Sequence, residues 1–153
     1  MSARSLIALA TLGSIALLGG AYLFQALGWQ PCAMCLWQRW PHAAAIVIGA
    51  VALVGGPTWL AWAGALAAAT TAGLGIYHSG VERDWWEGPS SCTGTGPDLG
   101  GLSGADLLST DAPALVLCDQ FTPFFLTLSM ANWNAILSAG LVLVWIAAAR
   151  ARP

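Results

Sequence analysis

Four stretches of the chain are almost wholly apolar, and polar residues are confined to the gaps between them. They cover residues 6–27, 35–54, 59–77 and 133–149. A helix needs about 20 apolar residues to cross a hydrocarbon core, where every backbone polar group must be bonded internally. The pattern therefore predicts four transmembrane helices. Gly28-Trp29-Gln30-Pro31 and Gly55-Gly56-Pro57-Thr58 separate the first three. Links this short force antiparallel neighbours, which predicts an all-α, up-down four-helix bundle within a single integral membrane domain over residues 1–153. In the third span Gly64, Ala68 and Ala72 recur every four residues, a stripe of small side chains that lets helices approach closely in lipid.

Residues 81–131 break the pattern and are too long for a passive connection. They are expected to form a long extracytoplasmic loop. Within it, the apolar residues 115–117 and 121–130 around Cys118 predict an amphipathic segment along the membrane surface. Residues 103–108, opened by Ser103 with Asp106 three positions on, have the spacing of a capped short helix.

Composition sharpens this picture. Of 153 residues, 58% are hydrophobic and 8% charged, whereas a soluble domain carries about 25% charged residues. That supply cannot clothe a water-exposed globule, which excludes a soluble enzyme. No basic cluster is longer than Arg150-Ala-Arg152, so nucleic acid is excluded as a partner. All seven acids (Glu82, Asp84, Glu87, Asp98, Asp106, Asp111 and Asp119) lie in the long loop against Arg83 alone, leaving it at −6. Arg4, Arg39, Arg150 and Arg152 make the remainder +4, which reconciles with the net −2. The positive-inside rule then places both termini in the cytoplasm, with the first link and the acidic loop outside. Trp29, Trp37, Trp40, Trp59, Trp85, Trp86 and Trp133 fall near span ends, as an interfacial belt requires. The first apolar run is longer than the core of a secretory signal, so it is expected to remain as an anchor.

The chemistry is carried by four cysteines. Cys32-Ala-Met-Cys35 follows Pro31 at the head of the second span, while Cys92 and Cys118 sit in the acidic loop, 26 positions apart. On the expected topology all four face an oxidising compartment, where disulfides persist. The unpaired amides and dipole of a helix N-terminus favour a thiolate. Arg39, four residues after Cys35, shares its face one turn deeper, positioned to hold an electron-rich oxygen in a low-dielectric site or to reach the headgroups. His42 can share the face of Arg39, and Trp37 and Trp40 flank it as walls of such a site or as belt residues. Glu82, Arg83 and Asp84 read most simply as a solvated cluster. Two other uses of the cysteines stay open: two purely structural disulfides in a non-catalytic protein, and a metal site. The wide spacing of Cys92 and Cys118 disfavours the metal, and a Cys-x-x-Cys bridge gains little chain-entropy stabilisation.

Four spans, Pro31-Cys32-Ala-Met-Cys35 opening the second, Arg39 a turn on and a cysteine pair in the long loop resemble the bacterial DsbB family over essentially the whole chain. These are quinone-linked thiol oxidoreductases of the inner membrane, within the relay that keeps the periplasm oxidising. The resemblance implies Cys32, Cys35, Cys92 and Cys118 as catalytic residues. It implies that a periplasmic DsbA-like dithiol protein attacks a Cys92–Cys118 disulfide at Cys92. Cys118 then attacks Cys32, and Cys35 passes the electrons to ubiquinone or menaquinone. It implies a quinone contact for Arg39 and, through the imperfect match of Tyr77-His78, for His78; Trp37 is placed with them by position. No metal is implied. Gln38 departs from the family pattern, which often has an acid there. Vitamin K epoxide reductase-like proteins also pair a Cys-x-x-Cys with loop cysteines, but theirs follows the loop pair and here it comes first.

Overall fold

The computed structural model describes residues 1–57, 59–90, 92 and 116–151. Among them the chain forms four long helices and no sheet: α1 (Ala3–Ala26), α2 (Ala33–Leu53), α3 (Leu60–Val81) and α4 (Met130–Arg150). The expected helix at residues 103–108 lies outside the described residues.

Local chemistry sets the ends. Ser2 caps α1 by accepting from Ser5 N–H, and Cys32 caps α2 by accepting from Cys35 N–H. Ser129 and Asn132 form a reciprocal capping box on α4. These caps start α2 and α4 at residues 33 and 130, before the apolar runs that mark the spans. The third helix runs past Tyr77 to Val81, because His78 and Ser79 find buried partners instead of ending the helix in water.

The helices pack in sequence, α1 on α2, α2 on α3 and α3 on α4, and α4 closes on α1. Their directions alternate. Arg4 near the start of α1 reaches the Leu53 carbonyl at the end of α2 (2.8 Å), and Gln25 near the end of α1 meets Arg39 near the start of α2. Gly64 and Gly75 of α3 face Trp145 and Ala135 of α4 in antiparallel register. The up-down bundle is as expected. Leu12, Val47, Leu66 and Leu143 point outward and exposed, the distribution a lipid environment calls for. By length and composition α1, α3 and α4 are apolar enough to cross a membrane. The second helix has 21 residues but carries Gln38, Arg39, Pro41 and His42, which lower its hydropathy.

Apolar packing is concentrated at two ends. Ile7, Ala10, Ala61, Ala65, Ala68, Trp145 and Ala148 form a core at the end holding Met1 and Arg150; Cys32, Met34, Val81, Cys92 and Cys118 form another at the opposite end. The small-residue stripe is buried as predicted, though at Gly64 it accommodates an indole rather than a backbone. A Cβ there would lie 2.6 Å from the wholly buried Trp145 ring. Gly64→Ala should therefore cost about 1–3 kcal/mol through overpacking. Its thermal or detergent unfolding midpoint should fall, and an unchanged midpoint would contradict this register of α3 on α4.

At the cysteine end, residues 116–129 form no amphipathic helix. The segment is irregular, with a tight turn bridged between Phe125 and Leu128 and positive φ at Leu126 and Thr127. Phe124 packs edge-on against Phe24 and Trp29, and Trp133 Nε1 donates to the Phe125 carbonyl. Residues 116–129 thus lie across the bundle from α4 to α1. The seven tryptophans expected at span ends are exposed or half-buried; Trp145 is the core exception.

Candidate functional site

Two cysteine pairs meet at this end of the bundle. Pro31 leads into Cys32, whose sulfur takes the place of a capping hydroxyl and accepts from Cys35 N–H at 3.2 Å. One turn of helix brings Cys35 Sγ to 2.7 Å from Cys32 Sγ, and both cysteines are free thiols. Cys92 and Cys118 are joined by a disulfide with a Cα–Cα distance of 5.0 Å. Cys118 N–H also donates to the Cys92 carbonyl at 2.8 Å. The loop disulfide sits directly on the helix-top pair: Cys32 Sγ, Cys118 Sγ and a ring nitrogen of His78 lie within 4.8 Å of one another. Cys32, Cys92, Cys118 and His78 are buried, and Cys35 is half-buried.

The cluster carries one disulfide and one dithiol within sulfur-exchange reach. The hydrogen bond with the Cys35 side chain, followed by burial, pushes the Cys32 thiol well above the usual range; the N–H groups of Cys35 and Met34 oppose this only in part. The donor set suits sulfur chemistry better than a cation. Cys118 is engaged in its disulfide, and the ring nitrogen of His78 nearest the sulfurs, Nε2 at 3.6 Å from Cys32, faces them with a proton. That proton follows from Gln38, whose amide nitrogen lies 2.9 Å from His78 Nδ1. An amide nitrogen only donates, so Nδ1 accepts and Nε2 keeps the hydrogen.

Arg39 lies one turn below Cys35 and turns toward α1. Its guanidinium donates to Gln25 Oε1 at 2.7 Å and sits 4.6 Å above the Tyr22 ring. Its Nε is buried and has no hydrogen-bond partner among the described residues. The structure therefore brings Cys35 and Arg39 to one face of α2, as the spacing predicts. His78 lies on α3 and reaches α2 from the side away from α1, at the sulfurs rather than beside Arg39. Trp37 and Trp40 are exposed. A cavity of about 270 Å³ opens elsewhere, between α3 and α4, lined by Ile76, Ser79, Arg83, Trp85, Asn132 and Ala135.

Two expectations need correction. His42 does not share the face of Arg39; it points into the bundle, where its Nε2 meets Asn134 Oδ1 at 2.9 Å. Nor do residues 82–84 form a simple solvated cluster. The Glu82 side chain is 7% exposed and accepts from Ser129 Oγ. Because α3 runs on to Val81, Glu82 is carried under the N-terminus of α4. Burial raises its carboxyl above the usual range, against the hydrogen bond from Ser129 and the charge of Arg83. Arg83 itself donates to Asn132 Oδ1 at 2.9 Å and lies over the Trp85 and Phe121 rings. Sequence reasoning also missed Gln25 and Asn134, and met Gln38 only as a departure from the family pattern, without its partners. Their signal was polarity alone: an amide inside an apolar run must find a partner.

Four sulfurs gathered at one end of an apolar helical bundle define a membrane protein of thiol–disulfide chemistry. Comparison with known proteins narrows that class. The family model for disulfide bond formation protein DsbB matches residues 3–148. Among curated relatives, the chain is 32% identical to disulfide bond formation protein B of Aromatoleum aromaticum over 125 residues, 76% of this chain and 74% of that protein. It is 29% identical to the protein of the same name in Polaromonas sp., over 92% of this chain and 90% of that protein. The Albidiferax ferrireducens protein of that name is 28% identical, over 95% and 87% of the two chains. No solved structure gives a significant match. The chain belongs to the DsbB family, and hence to the disulfide-forming oxidoreductases.

Proposed function

We propose that this protein crosses the bacterial inner membrane four times, reoxidises a DsbA-like dithiol protein in the periplasm and delivers the electrons to a membrane quinone. The observation that carries the reading is the meeting of Cys118 Sγ, Cys32 Sγ and His78 within 4.8 Å, which couples a loop disulfide to a helix-top dithiol. A thiolate of the reduced partner attacks Cys92, the Cys92–Cys118 bond breaks, and Cys118 leaves as a thiolate. The second partner thiolate attacks the mixed disulfide at the partner's own sulfur, releasing the oxidised partner and leaving Cys92 and Cys118 reduced. Cys118 then attacks Cys32 of an oxidised Cys32–Cys35 pair and expels Cys35. Cys92 attacks Cys118, restoring the loop disulfide and returning Cys32 as a thiol. Two electrons and two protons have then moved from partner to helix-top pair. Loop disulfide with helix-top dithiol is the state of this structure.

The residues around Cys35 fit a quinone. Arg39 has a buried donor without an acceptor among the described residues, and a ring carbonyl would satisfy it beside the half-buried sulfur. Tyr22 and Gln25 orient the guanidinium, and the outer surface of α1 and α2 opens this face toward lipid. A bound quinone would supply the acceptor of two electrons and two protons. Charge-assisted hydrogen bonds are worth about 1.5–3 kcal/mol. Arg39→Ala should accordingly raise KM for quinone about tenfold or more, leaving KM for the protein substrate unchanged. The measurement is quinone reduction by purified protein supplied with a reduced dithiol partner, and an unchanged quinone dependence would reduce Arg39 to a headgroup contact.

Orientation rests on the arginine distribution; that Gln38, Arg39 and His42 find partners on α1, α3 and α4 supports α2 as a span. In intact spheroplasts, an impermeant thiol reagent should label cysteines introduced at Asp98 or Asp106 and leave one at Arg150 untouched. A labelled position 150 inverts the topology.

A further inference from the structure

From His78 a chain of hydrogen bonds descends into the bundle through α2 and α4. Gln38 Nε2 lies 2.9 Å from His78 Nδ1 and 3.2 Å from the Met34 carbonyl oxygen. Asn134 Nδ2 donates to Gln38 Oε1 at 2.7 Å and reaches the Thr71 carbonyl oxygen at 3.3 Å. Asn134 Oδ1 meets His42 Nε2 at 2.9 Å and accepts from Ser138 Oγ at 3.3 Å. Gln38, His42, Thr71, His78 and Ser138 are all at least nine-tenths buried.

The direction of every bond in this chain is fixed. A backbone carbonyl only accepts, so the Met34 oxygen requires the nitrogen of Gln38 and the Thr71 oxygen requires the nitrogen of Asn134. Turning either amide would press oxygen against oxygen in a low-dielectric interior, where an unsatisfied polar group is costly. With both amides held, Gln38 must donate to His78. That excludes the imidazolium and the Nδ1–H tautomer alike, and leaves one N–H, on Nε2. It faces Cys32 Sγ, 3.6 Å away, and the backbone of Cys118, with which His78 also hydrogen-bonds, while Glu82 Oε1 lies beyond hydrogen-bond range at 3.8 Å.

We propose that Gln38 and Asn134 are a tautomer lock: positioning residues that hold His78 as an Nε2–H donor toward the sulfur of Cys32. The value of the lock rests on the reading that Cys32 exchanges sulfur with Cys118. In such an exchange one negative charge spreads over three sulfurs in line, with Cys32 at the centre. A pre-aligned N–H beside the central sulfur stabilises that charge, while the other tautomer would present a lone pair and repel it. Amides do not readily relay protons, so the chain orients and does not conduct.

The protein has two histidines, His42 and His78, which makes the lock directly readable. His42→Gln leaves His78 as the sole histidine and keeps an N–H donor for Asn134 Oδ1. In tag-free His42→Gln protein labelled with ¹⁵N-histidine and held in bilayers, His78 should show one species, protonated at Nε2 and unprotonated at Nδ1. Adding Gln38→Met or Asn134→Leu should replace it with a tautomer mixture or the Nδ1–H form. In otherwise wild-type protein the same two substitutions should lower kcat about threefold to tenfold with both KM values unchanged. Should Asn134→Leu fail to fold, Gln38→Met carries the test alone. A protonated Nδ1 in the His42→Gln protein overturns the proposal, as does a single Nε2–H species persisting in every folded variant. Correct spectra without quinone-dependent turnover would leave the lock standing and sink the functional reading instead.

Discussion

Cys92→Ala should abolish the mixed disulfide between this protein and its dithiol partner while leaving Cys32 and Cys35 able to be oxidised. The expectation follows from burial and order. Cys32 lies beneath the segment that carries Cys118, so a protein arriving from water meets the loop pair first. Attack at Cys92 releases Cys118, the sulfur already within 4.8 Å of Cys32; attack at Cys118 would release the sulfur that has no such contact. Thiol–disulfide exchange requires an attacking thiolate and a good leaving group. Cys92 and Cys118 are equally buried, so exposure does not choose between them, and the order rests on which released sulfur lies against Cys32. With Cys92 gone, Cys118 is a free thiol beside the helix-top pair. An oxidised Cys32–Cys35 bond should then trap it as Cys32–Cys118. Non-reducing electrophoresis with a partner lacking its resolving cysteine, followed by peptide mapping, reads both outcomes. Trapping as strong as wild type would mean that the partner enters at another sulfur.

What the sequence made legible was governed by near neighbours. Apolar runs reported the helices, because residues a few positions apart decide whether a segment tolerates lipid. The Cys-x-x-Cys pair and Arg39 fell on one face of α2 because four residues make one turn. The contacts of Asn134 with Gln38 and of Asn134 with His42 join residues 96 and 92 positions apart; they depend on the register of α2 against α4, which no local pattern encodes. Glu82 was misread for the same reason: an acid beside Arg83 and Asp84 looks solvated until α3 is seen to carry it beneath Ser129. Gln25 gave no hint that it would meet Arg39, since any polar residue near a span end can face headgroups. The segment around Cys118 marks a different limit. Its apolar residues are partly exposed, but the apolar pattern from which a surface segment is expected carries no sign that Leu126 and Thr127 take positive φ and turn the chain.

Cys35→Ser should eliminate quinone reduction and leave the sulfurs stalled one step earlier. Serine keeps the helix and nearly the side-chain volume, so Cys32 still caps α2 and Cys118 still lies over it. What is lost is the sulfur on the Arg39 face, the one group able to hand electrons to an acceptor entering between α1 and α2. Cys32, without its partner thiol, remains within reach of Cys118 Sγ. It can open the loop disulfide by exchange, with no net oxidation, giving Cys32–Cys118 and a free Cys92 thiol. The variant should therefore show no turnover and accumulate that bond, detected by proteolysis and mass spectrometry without reductant. Cys32→Ser separates the alternatives. It removes the central sulfur, so Cys118 has no target and the Cys92–Cys118 disulfide should persist unchanged. If Cys35→Ser still reduced quinone at the wild-type rate, the electrons would have to leave from Cys32, and the placement of the acceptor beside Arg39 would fail with it.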